Sequence, residues 1–162
     1  MFIGMDPNWR HIIPPLQERV ISEGHCIEDC TRRAFPRQGI SIFAVMMRTH
    51  QIGKEIKLRH VRQNEEFPPI AYDRNIDPNY QEYRRLPTAV RTMPGDRLVA
   101  ECTYDSSTRD QITLGEFATL HLFLVSFSPR STRKRRWTIK FAPIHFPQCH
   151  TRVSSIVVIP EC

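Results

Sequence analysis

Thirteen prolines against six glycines, spread along 162 residues, leave room for short extended segments and fixed turns rather than long helices. The most apolar early run occupies residues 39–50, Gly39-Ile40-Ser41-Ile42-Phe43-Ala44-Val45-Met46-Met47-Arg48-Thr49-His50. Alternation puts Phe43, Val45 and Met47 on one face and Ile42, Ala44, Met46, Arg48 and His50 on the other. Both sets are apolar until a polar tip at residues 48–51, closed by Gly53. That pattern predicts a central strand whose C-terminal end carries a functional edge. Residues 54–63 read as the next strand, with Ile56, Leu58, His60 and Arg62 on one face. Asn64-Glu65-Glu66 followed by Pro68-Pro69 reads as a turn, and residues 70–72, 80–86, 89–93, 97–104 and 111–114 supply further strands. Met93-Pro94-Gly95-Asp96 has the Pro-Gly order of a type II turn. Residues 120–127 form a second long apolar strand, with His121 and Phe123 on the same face. Residues 24–30 read as a short loop holding Cys26 and Cys30. Strands at intervals of roughly 8–12 residues, without a helical period, indicate an all-β fold, an antiparallel β-sandwich.

The net charge of +6 looks at first like a nucleic-acid signal. Five positive charges, however, fall on Arg130, Arg133, Lys134, Arg135 and Arg136, and without them 18 basic residues face 17 acidic ones. The only aromatic beside this run is Trp137, so no base-stacking platform accompanies it. No nucleic-acid partner is expected, and the run reads as a solvated loop. No apolar run approaches the roughly 18 residues of a membrane-spanning helix. The first residues lack the charged and apolar regions of a signal peptide. Cys26 and Cys30 are not followed by the second ligand pair that a zinc site needs. Distant one-to-one bridges in an oxidising compartment fit the five cysteines better, and the odd count leaves at least one thiol unpaired within the chain.

Several blocks, in order, resemble one family. They are Pro14-Pro15, Gly24-His25-Cys26-Ile27-Glu28-Asp29-Cys30-Thr31, Phe35-Pro36, Gly39-Ile40-Ser41-Ile42-Phe43-Ala44 and Arg48-Thr49-His50-Gln51-Ile52-Gly53. Tyr72-Asp73, Tyr80-Gln81-Glu82, Pro94-Gly95-Asp96 and Glu101-Cys102-Thr103-Tyr104 follow. Together they resemble the C-terminal catalytic domain of the copper type II, ascorbate-dependent monooxygenases. The resemblance is strong from about residue 13 to residue 115 and fades beyond residue 129. It implies a jelly-roll-like β-sandwich over residues 1–129, followed by a divergent basic, proline-containing tail over residues 130–162. It also implies copper as cofactor, ascorbate as electron donor through a second copper domain, and hydroxylation of a C–H bond of a small phenethylamine-like amine by O2. The location it implies is the secretory pathway or the extracellular space.

The family's oxygen-activating copper is held by a His-x-His pair at a strand end and a methionine from a later strand. Here the pair reads Arg48-Thr49-His50, and a guanidinium has no lone pair to offer a metal. In register from Cys102 through Gly115, the methionine position falls on Phe123, and the cysteine that bridges to the position of Cys102 falls on Leu124. His50 is therefore the candidate residual copper ligand. His121, two residues before Phe123, is a candidate replacement ligand, with Met46 as a stand-in thioether. The resemblance further implies bridges from Cys26 and Cys30 to the C-terminal region, with Cys149 the partner for Cys26 and Cys162 for Cys30. Cys102 is expected to be buried and unbridged. The chain thus reads as a partial or degenerate member whose isolated form is inactive, with Arg48 occupying the cation's place. The alternative is a non-catalytic secreted β-sandwich with a binding or structural role.

Overall fold

The computed structural model describes residues 2–4, 11–49, 51–80, 82–115 and 119–125. Residues 2–4, 11, 114, 115 and 119–125 are described by backbone alone. The elements are β1 (Phe2–Gly4), β2 (His11–Ile13), β3 (Val20–Cys26), α1 (Glu28–Ala34), β4 (Ile40–Arg48) and β5 (Gly53–Arg62). They continue with β6 (Glu65–Asp73), β7 (Tyr83–Thr92), β8 (Arg97–Tyr104), β9 (Thr113–Gly115) and β10 (Thr119–Val125). One sheet has the order β1-β10-β4-β7 and a second the order β3-β8-β5-β6, with β2 and β9 forming a two-stranded ribbon. Every pairing is antiparallel. The core draws on the inward residues of both large sheets, Ile42, Val45 and Met47 from β4 against Ile56, Leu58, Leu98, Ala100, Cys102 and Tyr104 from β5 and β8. This is the expected antiparallel β-sandwich, with β4 central in its sheet.

Four local readings are corrected. The stretch read as a loop at residues 24–30 is the end of β3 followed by a helix, Glu28–Ala34. Seven residues are too few to show a helical period, yet acids in the first turn and Arg32 and Arg33 in the last suit its dipole. Strict alternation along β4 fails because both neighbouring ladders step over Phe43. Phe123 and Leu124 of β10 pair with Ala44 and Ile42, and Arg85 and Val90 of β7 pair with the same two residues. Such a bulge reverses the facing of everything beyond it, so Ile42 shares the core with Val45 and Met47. The turn read across residues 64–69 is instead a tight hairpin. Gln63 and Asn64 both have positive φ, 49° and 66°, and Arg62 pairs directly with Glu65. Pro68 and Pro69 then lie within β6, which tolerates them because it is the outer strand of its sheet. The two strands read at residues 80–86 and 89–93 are one strand, β7, which passes through Pro87 at the edge of the first sheet.

One polar cluster ties these elements together. Asp96, in the type II turn, is 1% exposed. Its carboxylate lies 2.7 Å from His60 Nε2 and receives Arg62 Nε at 2.6 Å, Arg62 Nη2 at 2.7 Å and the Met93 N–H at 2.7 Å. The turn closes as expected, with Gly95 at φ 93° and the Asp96 N–H donating to Met93 O. Thr31 of α1 completes the cluster. Its hydroxyl donates to Asp96 O at 2.7 Å and accepts from the Gly95 N–H at 3.0 Å. Phe67 stacks on His60 at 5.2 Å and lies under the Arg62 guanidinium at 5.4 Å.

Burial pushes the Asp96 carboxyl upward, but the bonds from Arg62, the Met93 N–H and His60 outweigh it and hold the group below its ordinary value. A depressed folded-state pKa contributes stability that is complete above the unfolded value of about 4. That stability drains away as pH falls through the folded value. Asp96→Asn should therefore destabilise at pH 7 by an amount near the lower end of about 3–5 kcal/mol, since Arg62 remains a third exposed. Urea unfolding at a series of pH values checks both statements. The wild type should lose stability on acidification below pH 4, and the difference between it and the variant should shrink over that window.

Candidate functional site

Beyond the Phe43 bulge, β4 sends Val45, Met47 and Thr49 inward and Met46 and Arg48 outward, while Ala44 on their side of the strand is itself buried. Val45, Met47 and Thr49 are buried, Met46 is half-buried and Arg48 is exposed. Residues paired directly across an antiparallel ladder share a face. The outer face of the first sheet is thereby fixed rung by rung. Arg48 pairs with Thr119, and Met46 pairs with His121 on one side and Tyr83 on the other. Ala44 pairs with Phe123 and with Arg85. His121 in turn pairs with Phe2 of β1.

This register separates the expected ligand positions. Phe123 faces Ala44, four residues from Arg48, which at the rise of a strand is roughly 13 Å along the sheet. His121 lies nearer and is brought to Met46 rather than to Arg48. His50 lies outside the described residues, as do Cys149, Cys162 and the basic run at residues 130–136. Cys26 and Cys30 sit buried in the core at the end of β3 and in α1.

Two of the three positions that the resemblance assigns to copper ligands carry no donor for copper. Arg48 offers a cation, and a phenylalanine at 123 has no donor atom. Among the described residues no three His, Cys, Asp or Glu side chains converge on a point that could hold a metal.

Sequence reasoning singled out Arg48 and His50 but passed over the residue between them. Thr49 turns inward and is 7% exposed. Its hydroxyl lies 3.3 Å from Cys102 Sγ on β8, so the end of β4 is tied to the opposite sheet. The Tyr104 side chain, fully buried, interacts with both. Burial, partly offset by these contacts, holds the Cys102 thiol above its ordinary value, which keeps it protonated and a poor nucleophile or ligand. Burial likewise pushes the Tyr104 hydroxyl up. The thiol is buried, as expected. Gly53 completes the lock. A Cβ placed on it would meet Thr49 Oγ1 at 2.0 Å and Cγ2 at 2.6 Å, so only glycine lets β5 start directly under Thr49. The visible signal was the Gly four residues after the Thr. Its meaning required the turn geometry.

A second tie stands at the side of the sandwich. Arg84 of β7, next to Tyr83, makes an ion pair with Asp73 of β6, and Arg84 Nε lies 3.7 Å from Glu82. It joins the edge strands of the two sheets. The outer face itself presents Arg48, Met46, Tyr83 and Arg85, with Tyr83 61% exposed.

Comparison with known proteins bears on this face. A sequence model of the copper type II ascorbate-dependent monooxygenase C-terminal domain matches residues 1–121. MOXD1 homolog 2 of Drosophila melanogaster is 75% identical over 113 residues, 70% of this chain and 15% of that protein. DBH-like monooxygenase protein 1 of Gallus gallus is 38% identical over 120 residues, 72% of this chain and 20% of that protein. Dopamine beta-hydroxylase of Homo sapiens is 36% identical over 115 residues, 71% of this chain and 19% of that protein. The chain thus spans a fifth or less of the length of these curated relatives.

The Thr49–Gly53 lock can be tested alone. Gly53→Ala should destabilise by about 1–3 kcal/mol, the usual cost of overpacking a close contact. Thr49→Ala in the same chain should recover part of that loss, because it removes the atoms the new methyl strikes. A double-mutant cycle by chemical denaturation reads the coupling. Simple additivity of the two changes would refute the lock.

Proposed function

The chain belongs to the copper type II ascorbate-dependent monooxygenase family, and on that premise we propose that it is a degenerate member whose isolated form does not carry out the family's hydroxylation. The observation that carries this reading is Arg48. It stands exposed on the outer face at the first position of the family's His-x-His pair, where a lone-pair donor is required. Phe123 at the methionine position supports it from the other strand. In the family, copper supplies oxygen chemistry at an amine's C–H bond with electrons from ascorbate. In this chain Arg48 keeps a positive charge near the metal's place without coordinating anything.

The scaffold under the site supports the same reading. Thr49, Cys102, Tyr104 and Gly53 are held by packing inside the sandwich, and none of them needs a metal. Residual copper binding falls to His50, with His121 as the replacement donor. The secretory setting goes with the family reading, and there Cys26 pairs with Cys149 and Cys30 with Cys162. Each such bridge would add about 2–4 kcal/mol. A second reading, a non-catalytic secreted β-sandwich that binds a partner, is favoured by the exposed Arg48 and Tyr83 on the face that has lost its donors.

A competition titration with Cu(I) and a chelator of known affinity tests the proposal, run beside an oxygen-consumption assay with ascorbate and a phenethylamine. The isolated chain should show no product. His50→Ala should weaken Cu(I) binding at least tenfold, and Arg48→His should strengthen it. Turnover by the unmodified chain would overturn the reading of inactivity. Cu(I) binding indifferent to His50→Ala would remove His50 from the site.

A further inference from the structure

We infer that the outer face of the β2–β9 ribbon is a self-association surface that takes a second copy of this chain. The inference goes beyond the proposed function, because none of its residues belongs to the face that bears Arg48 and Tyr83.

The register of the ribbon sorts its side chains. Ile13 pairs with Thr113 and is fully buried in the core. The residues on either side of that rung therefore point the other way. Ile12 and Pro14 flank Ile13, and Ile112 precedes Thr113. All three are exposed, Ile12 at 58% and Ile112 at 60%. Ile12 pairs with Leu114, which makes Ile112 its diagonal neighbour at roughly 7–8 Å. Leu16, just beyond the ribbon, adds a third large apolar side chain at 66% exposure. Single exposed apolar residues need no explanation, but four gathered on one short ribbon and its exit form a patch.

Leu16 carries a second mark. Its φ is 55°, a left-handed backbone that a leucine side chain opposes. The conformation is imposed by hydrogen bonds around Ser106, which is fully buried. The Leu16 N–H reaches Ser106 O at 3.1 Å and Arg109 O at 3.0 Å, and the Ser106 N–H donates to Gln17 O at 2.8 Å. The Ser106 hydroxyl donates to Pro14 O at 2.7 Å. These bonds fix a leucine facing solvent where glycine would sit with less strain. The anchor is set before any partner arrives, so little ordering is left to oppose association.

The rim chooses the occupant. Glu18, Arg19, Arg109 and Asp110 flank the apolar residues, all four exposed and two of each sign. An anionic membrane or an acidic partner calls for a basic rim, and Glu18 and Asp110 oppose both. A rim of balanced charge is complementary to itself. Around a twofold axis each apolar side chain meets the same patch on the other copy, and each arginine can meet a carboxylate there. Four apolar and four charged residues are well short of the roughly 20–30 a side of a standard interface. The association is therefore weak and follows concentration.

Sedimentation equilibrium of the whole chain from micromolar to millimolar concentration tests this, with methyl NMR over the same range. A monomer–dimer equilibrium is expected, and the methyl resonances of Ile12, Leu16 and Ile112 should shift along it. Leu16→Gly removes the anchor and eases the backbone, so it should weaken dimerisation at least tenfold while keeping the urea midpoint of the unmodified chain. Ile112→Lys puts a charge in the middle of the patch and should weaken dimerisation at least as much. A chain that stays monomeric throughout would overturn the inference. Dimerisation that both variants leave unchanged would overturn it too, since the contact would then lie elsewhere.

Discussion

The buried carboxylate of Asp96 is the interaction on which most of the chain's geometry depends. A charge at 1% exposure would cost several kcal/mol if left alone. It is tolerable only because His60, both Arg62 donors and the Met93 N–H reach it at once. Those partners come from β5 and from the turn before β8, and Thr31 brings in α1 through the backbone of the same residue. Arg62 also reaches Arg91 O on β7, so the cluster touches the first sheet as well. The turn, the helix and the two sheets cannot shift separately without stranding a charge.

Two further ties set the sandwich at other points, Thr49 with Cys102 and Arg84 with Asp73. They differ in kind. The first is neutral, buried and set by close packing against Gly53. The second is an ion pair with Arg84 41% exposed, which solvent weakens. The end of β4 is therefore held more by shape than by charge, and its fixity survives changes of charge on the outer face.

The parts of this arrangement legible in the sequence are those set locally. The Pro94-Gly95 turn, the shared face of Ile56, Leu58, His60 and Arg62, and the polar end of β4 all follow from residue type and alternation. What escaped depended on long-range pairing. Phe43 gives no sign of a bulge, because the bulge is a property of three strands in register, and one stepped-over residue inverted the face assigned to Ile42. Helix α1 hid behind its shortness and behind Cys26 and Cys30, of which only Cys30 lies in it. Asp96 looked like a turn residue, and nothing near it announced that His60 and Arg62, more than thirty residues earlier, would arrive at its oxygens. The site was half legible. That Arg48 offers a metal no lone pair needs only the residue's chemistry. The partnership of His121 with Met46, seventy-five positions apart, needs the register of β10 on β4.

On the proposed reading of a degenerate member, that division explains how the fold persists without the metal. Inward residues of β4 answer to the core. Val45, Met47 and Thr49 each pack or bond across the sandwich, and a substitution there would leave a cavity or a stranded hydroxyl. Met46 and Arg48, turned outward, take no part in that core. Replacing a neutral imidazole by a guanidinium at an exposed position costs the fold little, since the charge stays in water.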